Sequence, residues 1–149
     1  IEAFVESKKE WIEKSLKKYR ESRAEANALP PLTRDDIIRL GNEALRVIPE
    51  RAAYYASEMG VEYGRITIRN QTTRWGSCSA KKNLNFNCLL MLTPPEVIDS
   101  VVVHELCHLI YMNHSPAFYA EVRRVFPDYD ECDRWLKKNG PLIINRMTG

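Results

Sequence analysis

No apolar run in this 149-residue sequence approaches the ~20 residues that a helix needs to span a bilayer. The run at Val101–Val103 is cut off at once by His104 and Glu105. No transmembrane helix and no membrane partner are therefore expected. An excess of one charge is also missing: 22 basic and 20 acidic residues leave a net charge of +2, so nucleic acid has only weak support as a partner. Between Gly60 and Leu92 five basic residues (Arg65, Arg69, Arg74, Lys81, Lys82) face one acid, Glu62. A solvated strand surface accounts for that bias at least as well as nucleic-acid binding does. The four cysteines, at 78, 88, 107 and 132, form no CxxC pair and no disulfide framework. They read as reduced thiols of a cytoplasmic protein. Internal repeats and low-complexity segments are absent. Histidine is the scarcest of the chemically useful residues: there are three, all between positions 104 and 114.

What is present suits a globular domain, with 44% hydrophobic and 28% charged residues. Phe4, Trp11, Ile12, Leu16 and Tyr19 form a helical stripe, which predicts a helix over residues 1–27, ended by Leu29-Pro30-Pro31. The sequence opens on Ile1 rather than methionine. Residues 1–30 are accordingly expected to be a helical arm left from a longer N-terminal segment, and 31–149 the functional domain. Thr33 and Asp36 have capping-box spacing for a helix reaching Met59, with a kink or break expected at Pro49 and a stop at Gly60. The period then changes. Ile66–Arg69, "TTRWGSCS" and "LNFNCLL" read as three short strands of a small antiparallel sheet, with Asn70-Gln71 as a turn. Thr93-Pro94-Pro95-Glu96 starts a helix expected to reach Tyr111. Ser115-Pro116 starts another, running to Val125 or Phe126, and Asp128 caps a last one that Asn139-Gly140-Pro141 should stop. The fold class is α+β.

His104-Glu105-Leu106-Cys107-His108 is an HExxH sequence on a predicted helix. Residues four apart share a helix face, so two imidazoles spaced this way can converge on one tetrahedral metal ion. Glu105, beside the first histidine, can take a proton from a water held by that metal without closing its coordination sphere. Cys107 falls between the ligand rows and reads as a buried structural thiol. A catalytic zinc uses three protein ligands and keeps one position open. His114 is a candidate for the third ligand, and more distantly Asp128, Asp130, Glu131 or Asp133. His114 stands ten residues after His104, the first-to-third spacing of HExxHxxGxxH, although Tyr111 occupies the glycine position. Asn113 and the Ser115-Pro116 helix start place a chain reversal at His114, which favours it over acids that lie beyond a whole helix.

"TRWGSCS", "LNFNCLLMLTPPEVIDSVVVHELCHL" and "NHSPAFY" together resemble the YgjP-like family of zinc metallopeptidases, relatives of the SprT-like and other zincin peptidases. The resemblance runs from about Gly64 to Trp135. It implies a compact zincin-like domain with a small sheet packed on the HExxH helix, to which the periodicity adds further helices at both ends. It implies one Zn2+ per chain on His104, His108 and His114, Glu105 as catalyst, and a peptide or protein substrate. Tyr119 stands where the family pattern leads us to expect Trp.

Arg74-Trp75-Gly76-Ser77, one hairpin before the helix, is a candidate substrate-binding edge strand. Gly76 would admit a substrate backbone, and Ser77 or a backbone N–H would hold the scissile carbonyl. A core tryptophan beside a bulge glycine explains the same residues. Tyr111 is a candidate oxyanion stabiliser or a rim residue. Asn85 and Asn87 could orient ligands or simply alternate on a strand, while Phe118, Val122, Val125, Phe126 and Trp135 read as core. The leading function is a zinc metallopeptidase. The alternative is a zinc-stabilised binding module for DNA or a protein partner, without hydrolysis. Glu105 separates the two, because a structural zinc site needs no carboxylate there.

Overall fold

The computed structural model describes residues 31–148. The helix expected over residues 1–27 lies outside them. Helix α1 spans Arg34–Met59. Thr33 Oγ1 accepts from the Asp36 N–H at 3.1 Å while the Asp36 carboxylate accepts from the Thr33 N–H at 2.9 Å, so the expected capping box forms. Gly60 ends the helix in the left-handed conformation, φ 69°. Pro49 does not break it. The carbonyl that Pro49 leaves without a donor belongs to exposed Leu45, where water can serve instead. Leu40, Ala44, Ile48, Ala52 and Ala56 recur every fourth residue and are buried. The small alanines let α1 lie close on the elements beneath it.

Strands β1 (Ile66–Arg69), β2 (Gly76–Cys78) and β3 (Leu84–Asn87) form a sheet in the order β1-β3-β2. The expected antiparallel sheet is in fact mixed. β2 pairs antiparallel with β3, but β1 runs parallel to it, Ile66 opposite Leu84. A parallel neighbour needs a long crossover, and residues 70–83, which include β2, provide one. The second strand is also shorter than expected. Asn87 explains why: its Nδ2 donates to the carbonyls of Gln71 (2.8 Å) and Arg74 (2.9 Å), and its backbone N–H donates to Trp75 (2.9 Å). Side-chain bonds therefore satisfy the 71–75 segment in place of a ladder. Asn87 ends the third strand as well. Its Oδ1 accepts from the Leu89 N–H and turns the chain into a 3-10 helix, Cys88–Leu92.

Helix α2 (Pro95–Cys107) is the central element, buried on nearly every side. The Thr93 hydroxyl donates back to the Leu90 carbonyl (2.7 Å) rather than capping α2, and Pro94 stands at the cap position. The α-helix ends at Cys107, earlier than the expected Tyr111, and tight turns take over, with the Leu109 N–H bonded to Leu106 and those of Ile110 and Tyr111 to Cys107. Asp99 of α2 accepts from the Tyr55 hydroxyl (3.0 Å) and Arg51 (3.5 Å), which ties α2 to α1.

Helix α3 (Pro116–Val125) is capped by Ser115, as expected. Helix α4 spans Tyr129–Thr148 and continues through Asn139-Gly140-Pro141, where a stop was expected. Buried Asn139 donates to the Trp135 carbonyl (2.8 Å), and the carbonyl that Pro141 leaves unserved is on exposed Lys137. Beyond it Ile143, Ile144 and Met147 pack on the core, and the Arg146 carbonyl accepts from the Leu32 N–H. That burial outweighs the lost helical bond. One apolar core lies between α1, the sheet, the 3-10 helix and one side of α2, and a second between the other side of α2, α3 and α4. Cys107 and Cys132 are fully buried in the second. Burial pushes the Cys107 thiol up to about 12, as suits a structural residue. Among the described residues no helix is long and apolar enough to cross a membrane. The class is α+β, with a small mixed sheet packed among the helices.

Candidate metal centre

Where α2 ends, the chain turns sharply. His104 projects from its last full turn, His108 terminates it, and His114 follows the turn, directly before the Ser115 cap of α3. This brings the three rings together. His114 Nε2 lies 3.1 Å from His108 Nε2 and 3.3 Å from His104 Nε2. Two nitrogens bound to one tetrahedral zinc at ~2.0–2.1 Å would stand roughly 3.3–3.4 Å apart. The spacing therefore fits a shared ion. These three histidines form the group of potential ligands found among the described residues. None of the acids considered as third ligands joins the group: Asp130 holds Arg123 through both oxygens (3.0 and 3.1 Å), Asp133 lines a cavity with His104 but pairs with Lys137 (2.8 Å), and Asp128 and Glu131 are not in it either.

The donor chemistry agrees with the spacing. His108 Nδ1 is 3.0 Å from the Tyr111 carbonyl, which can only accept. The Nδ1 of His108 therefore carries the proton, and its Nε2 presents a bare lone pair to the centre. His104 Nδ1 is 2.8 Å from the Tyr129 hydroxyl. Phe118, fully buried, lies under all three rings, with centroids 5.0, 4.4 and 5.2 Å from those of His104, His108 and His114. Tyr119 stacks on His114 at 6.1 Å. Burial holds His104 down to about 4, the charges of His108 and His114 acting in the same direction and Asp133 against them. His108 is also lowered, mainly by burial. Both rings thus favour the neutral form that a metal requires.

Glu105 is 5% exposed and lies beside the triad on α2. Burial pushes its carboxyl up to about 8, opposed by the charge of Arg74. β2 runs directly against it. A Cβ at Gly76 would stand 3.0 Å from Glu105 Cγ, 3.1 Å from its Oε2 and 3.2 Å from the Asn85 carbonyl. The close approach that requires glycine here is therefore made by Glu105.

The other predicted residues divide. Arg74 and Gly76 line both cavities that open at Glu105, of about 240 and 340 Å³. Ser77 lines the larger and Trp75 the smaller. The Trp75 ring also packs on Gly140 of α4, whose modest size it needs: a Cβ there would lie 3.1 Å from the ring. Tyr111 lines neither cavity. Its carbonyl accepts from His108, and its side chain packs against the second core. Asn85 accepts from Arg69 Nε (2.9 Å), and Asn87 holds the 71–75 segment. Sequence reasoning placed Phe118 only in the core and did not single out Tyr129. Phe118 had a signal, since it stands one helical turn beyond His114. Tyr129, 25 residues from His104, had none.

The chain is similar to the metallopeptidase zymogen abylysin of Pyrococcus abyssi, with 23% identity and a TM-score of 0.55 over 62% of this chain and 94% of that one. It is also similar to the metallopeptidase zymogen jannalysin of Methanocaldococcus jannaschii, with 26% identity and a TM-score of 0.52 over 61% and 91%. No curated protein sequence matches it significantly. A family model, the YgjP-like metallopeptidase domain, matches residues 34–139, most of the chain. A three-histidine cluster of metal-ligand spacing on a zincin-like scaffold therefore sits inside a family match that contains it whole, and the chain belongs to the YgjP-like metallopeptidase domain family of metal-dependent hydrolases.

Proposed function

We propose that this protein is a zinc metallopeptidase in which His104, His108 and His114 hold one Zn2+ per chain through Nε2 and Glu105 is the general base. The convergence of three Nε2 atoms beside a buried carboxyl carries the reading. Zinc bound there would supply Lewis acidity to a water and to the scissile carbonyl. Glu105 then accepts the proton of the attacking water and passes it to the departing amine. Its carboxyl is raised by burial, and a cation held by the three imidazoles, together with Arg74, favours the ionised form that can accept a proton. The carboxyl is also kept in place from one side by the β2 backbone at Gly76.

β2 pairs only with β3 among the described strands, so its other edge offers backbone groups to an extended peptide. We place the substrate there, across Gly76–Cys78, with Arg74 and Ser77 at its sides. We take residues 31–149 as the catalytic domain. The cysteines Cys78, Cys88, Cys107 and Cys132 are unpaired, in keeping with a cytoplasmic enzyme. Glu105→Gln tests the proposal: it should retain zinc and the fold, and lose at least ~100-fold in the rate of peptide cleavage. Cleavage of a verified peptide at the wild-type rate would remove Glu105 from the mechanism.

A further inference from the structure

His104 and His108 each have a partner at the ring nitrogen that faces away from the centre. His108 has the Tyr111 carbonyl at 3.0 Å, supplied by the turn that follows its own helix. His104 has the Tyr129 hydroxyl at 2.8 Å, supplied by another part of the fold. The two partners differ chemically. A carbonyl only accepts, so it dictates the His108 tautomer. A phenol can accept or donate, and the two choices have opposite results for the site. If Tyr129 donates, the His104 proton sits on Nε2 and the lone pair needed at the centre is lost. If it accepts from Nδ1–H, Nε2 is free.

We infer that Tyr129 is a positioning residue that accepts a hydrogen bond from His104 Nδ1–H and thereby holds Nε2 of that ring unprotonated and aimed at the other two histidines. The fold fixes the phenol for this task. Tyr129 is 6% exposed and begins α4, where its N–H is bonded to the Phe126 carbonyl at 3.0 Å. Its ring lies nearly parallel to that of His104, at 23° with centroids 6.0 Å apart. The hydroxyl proton must then point away from His104. Asp133 lines the same cavity as Tyr129, and its negative charge favours that orientation. Tyr129 meets the far side of the imidazole, away from the triad centre. Its effect on the centre therefore passes through His104.

This inference rests on the zinc reading above, and the experiment keeps the two apart. Zinc affinity of wild type and Tyr129→Phe is measured by chelator competition, alongside ring-nitrogen NMR of the zinc-bound, 15N-histidine-labelled proteins and thermal unfolding of both metal-free proteins. The expected result is zinc affinity lower by ~10–100-fold in the variant. A slowly exchanging His104 Nδ1–H resonance seen in wild type should be lost or exchange rapidly, and the metal-free unfolding temperatures should be nearly equal. A variant that binds zinc as tightly as wild type and keeps the resonance would overturn the inference while leaving the zinc reading intact. Weaker binding with the resonance unchanged and a large fall in metal-free stability would also overturn it, because the role would then be packing alone. Failure of the wild type to bind zinc would overturn both.

Discussion

Gly76→Ala is the most direct probe of how the sheet and the catalytic helix are fitted together. The substitution adds one methyl group in a strand, where alanine has no conformational difficulty, so its effect must come from contact. The added Cβ would meet Glu105 Cγ at 3.0 Å and Oε2 at 3.1 Å, and the Asn85 carbonyl at 3.2 Å. Ordinary van der Waals contact begins at about 3.4 Å and is relaxed near 3.7 Å. Something must therefore move by roughly 0.4–0.7 Å. The Asn85 side of the contact is backbone within the β2–β3 ladder, which resists opening. Glu105 is the softer neighbour, although its own room is small at 5% exposure. Its carboxyl should be displaced away from β2. A misplacement approaching 1 Å at a reacting group can cost ~100-fold in rate, so a loss of ~10–100-fold in kcat/KM is expected. Overpacking should cost ~1–3 kcal/mol of stability. None of the three atoms nearest the new methyl belongs to a histidine, so zinc content should stay at the wild-type level. Peptide cleavage, metal analysis and denaturant unfolding on the same preparations read all three quantities. Activity within twofold of wild type would refute the reasoning, because it would mean that the position of Glu105 does not matter or is not set by β2.

Two further outcomes are expected. His114→Ala should weaken zinc binding severely, while Asp130→Ala, which removes only the partner of Arg123, should leave it nearly intact; the reverse pattern in a zinc-competition titration would move the third ligand to α4. Stripping zinc with a chelator should abolish cleavage and lower the unfolding temperature by several degrees, since free zinc at ~1,000 times its Kd stabilises the folded state by about 4 kcal/mol; equal unfolding curves with and without zinc would contradict a site built by the folded chain.

What could be read in the sequence was whatever depends on neighbours along the chain. The capping box at Thr33 and Asp36, the Ser115-Pro116 helix start and the shared face of His104 and His108 each involve residues three or four apart, and each was expected. The boundaries that moved were decided by partners far away. Lone Pro49 and the Asn139-Gly140-Pro141 stop are local signals, yet both helices continue. In each, the orphaned carbonyl belongs to an exposed residue, and for α4 the following turn packs the half-buried Ile143, Ile144 and Met147 against the first core. Local propensity loses there because tertiary burial stabilises the helix by more than the breaker destabilises it. The sheet shows the same rule in reverse. Alternation showed that Ile66–Arg69 and Leu84–Asn87 are strands, but alternation carries no information about direction, and the parallel pairing came from the crossover that Asn87 ties down.

The candidate site divides along the same line, and the division has a physical reason. A metal needs lone pairs converging on a point, and two of them come from a single helical turn, which any sequence can display. Keeping those lone pairs available needs partners on the opposite side of each ring, and sequence distance places no constraint on where they come from. For His108 the partner is the carbonyl of Tyr111, a backbone group that carries no residue identity, so no motif could encode it. For His104 it is Tyr129, brought back beyond the whole of α3. Gly76 lies between these cases. Its glycine is visible in the sequence and predicts a close approach, but by substrate, whereas the approaching group is Glu105, far along the chain. The same contact also reassigns what the glycine is for: β2 can lie against the buried carboxyl only where it has no side chain, so the strand proposed to hold the substrate and the residue proposed as base are held in register by one missing methyl group.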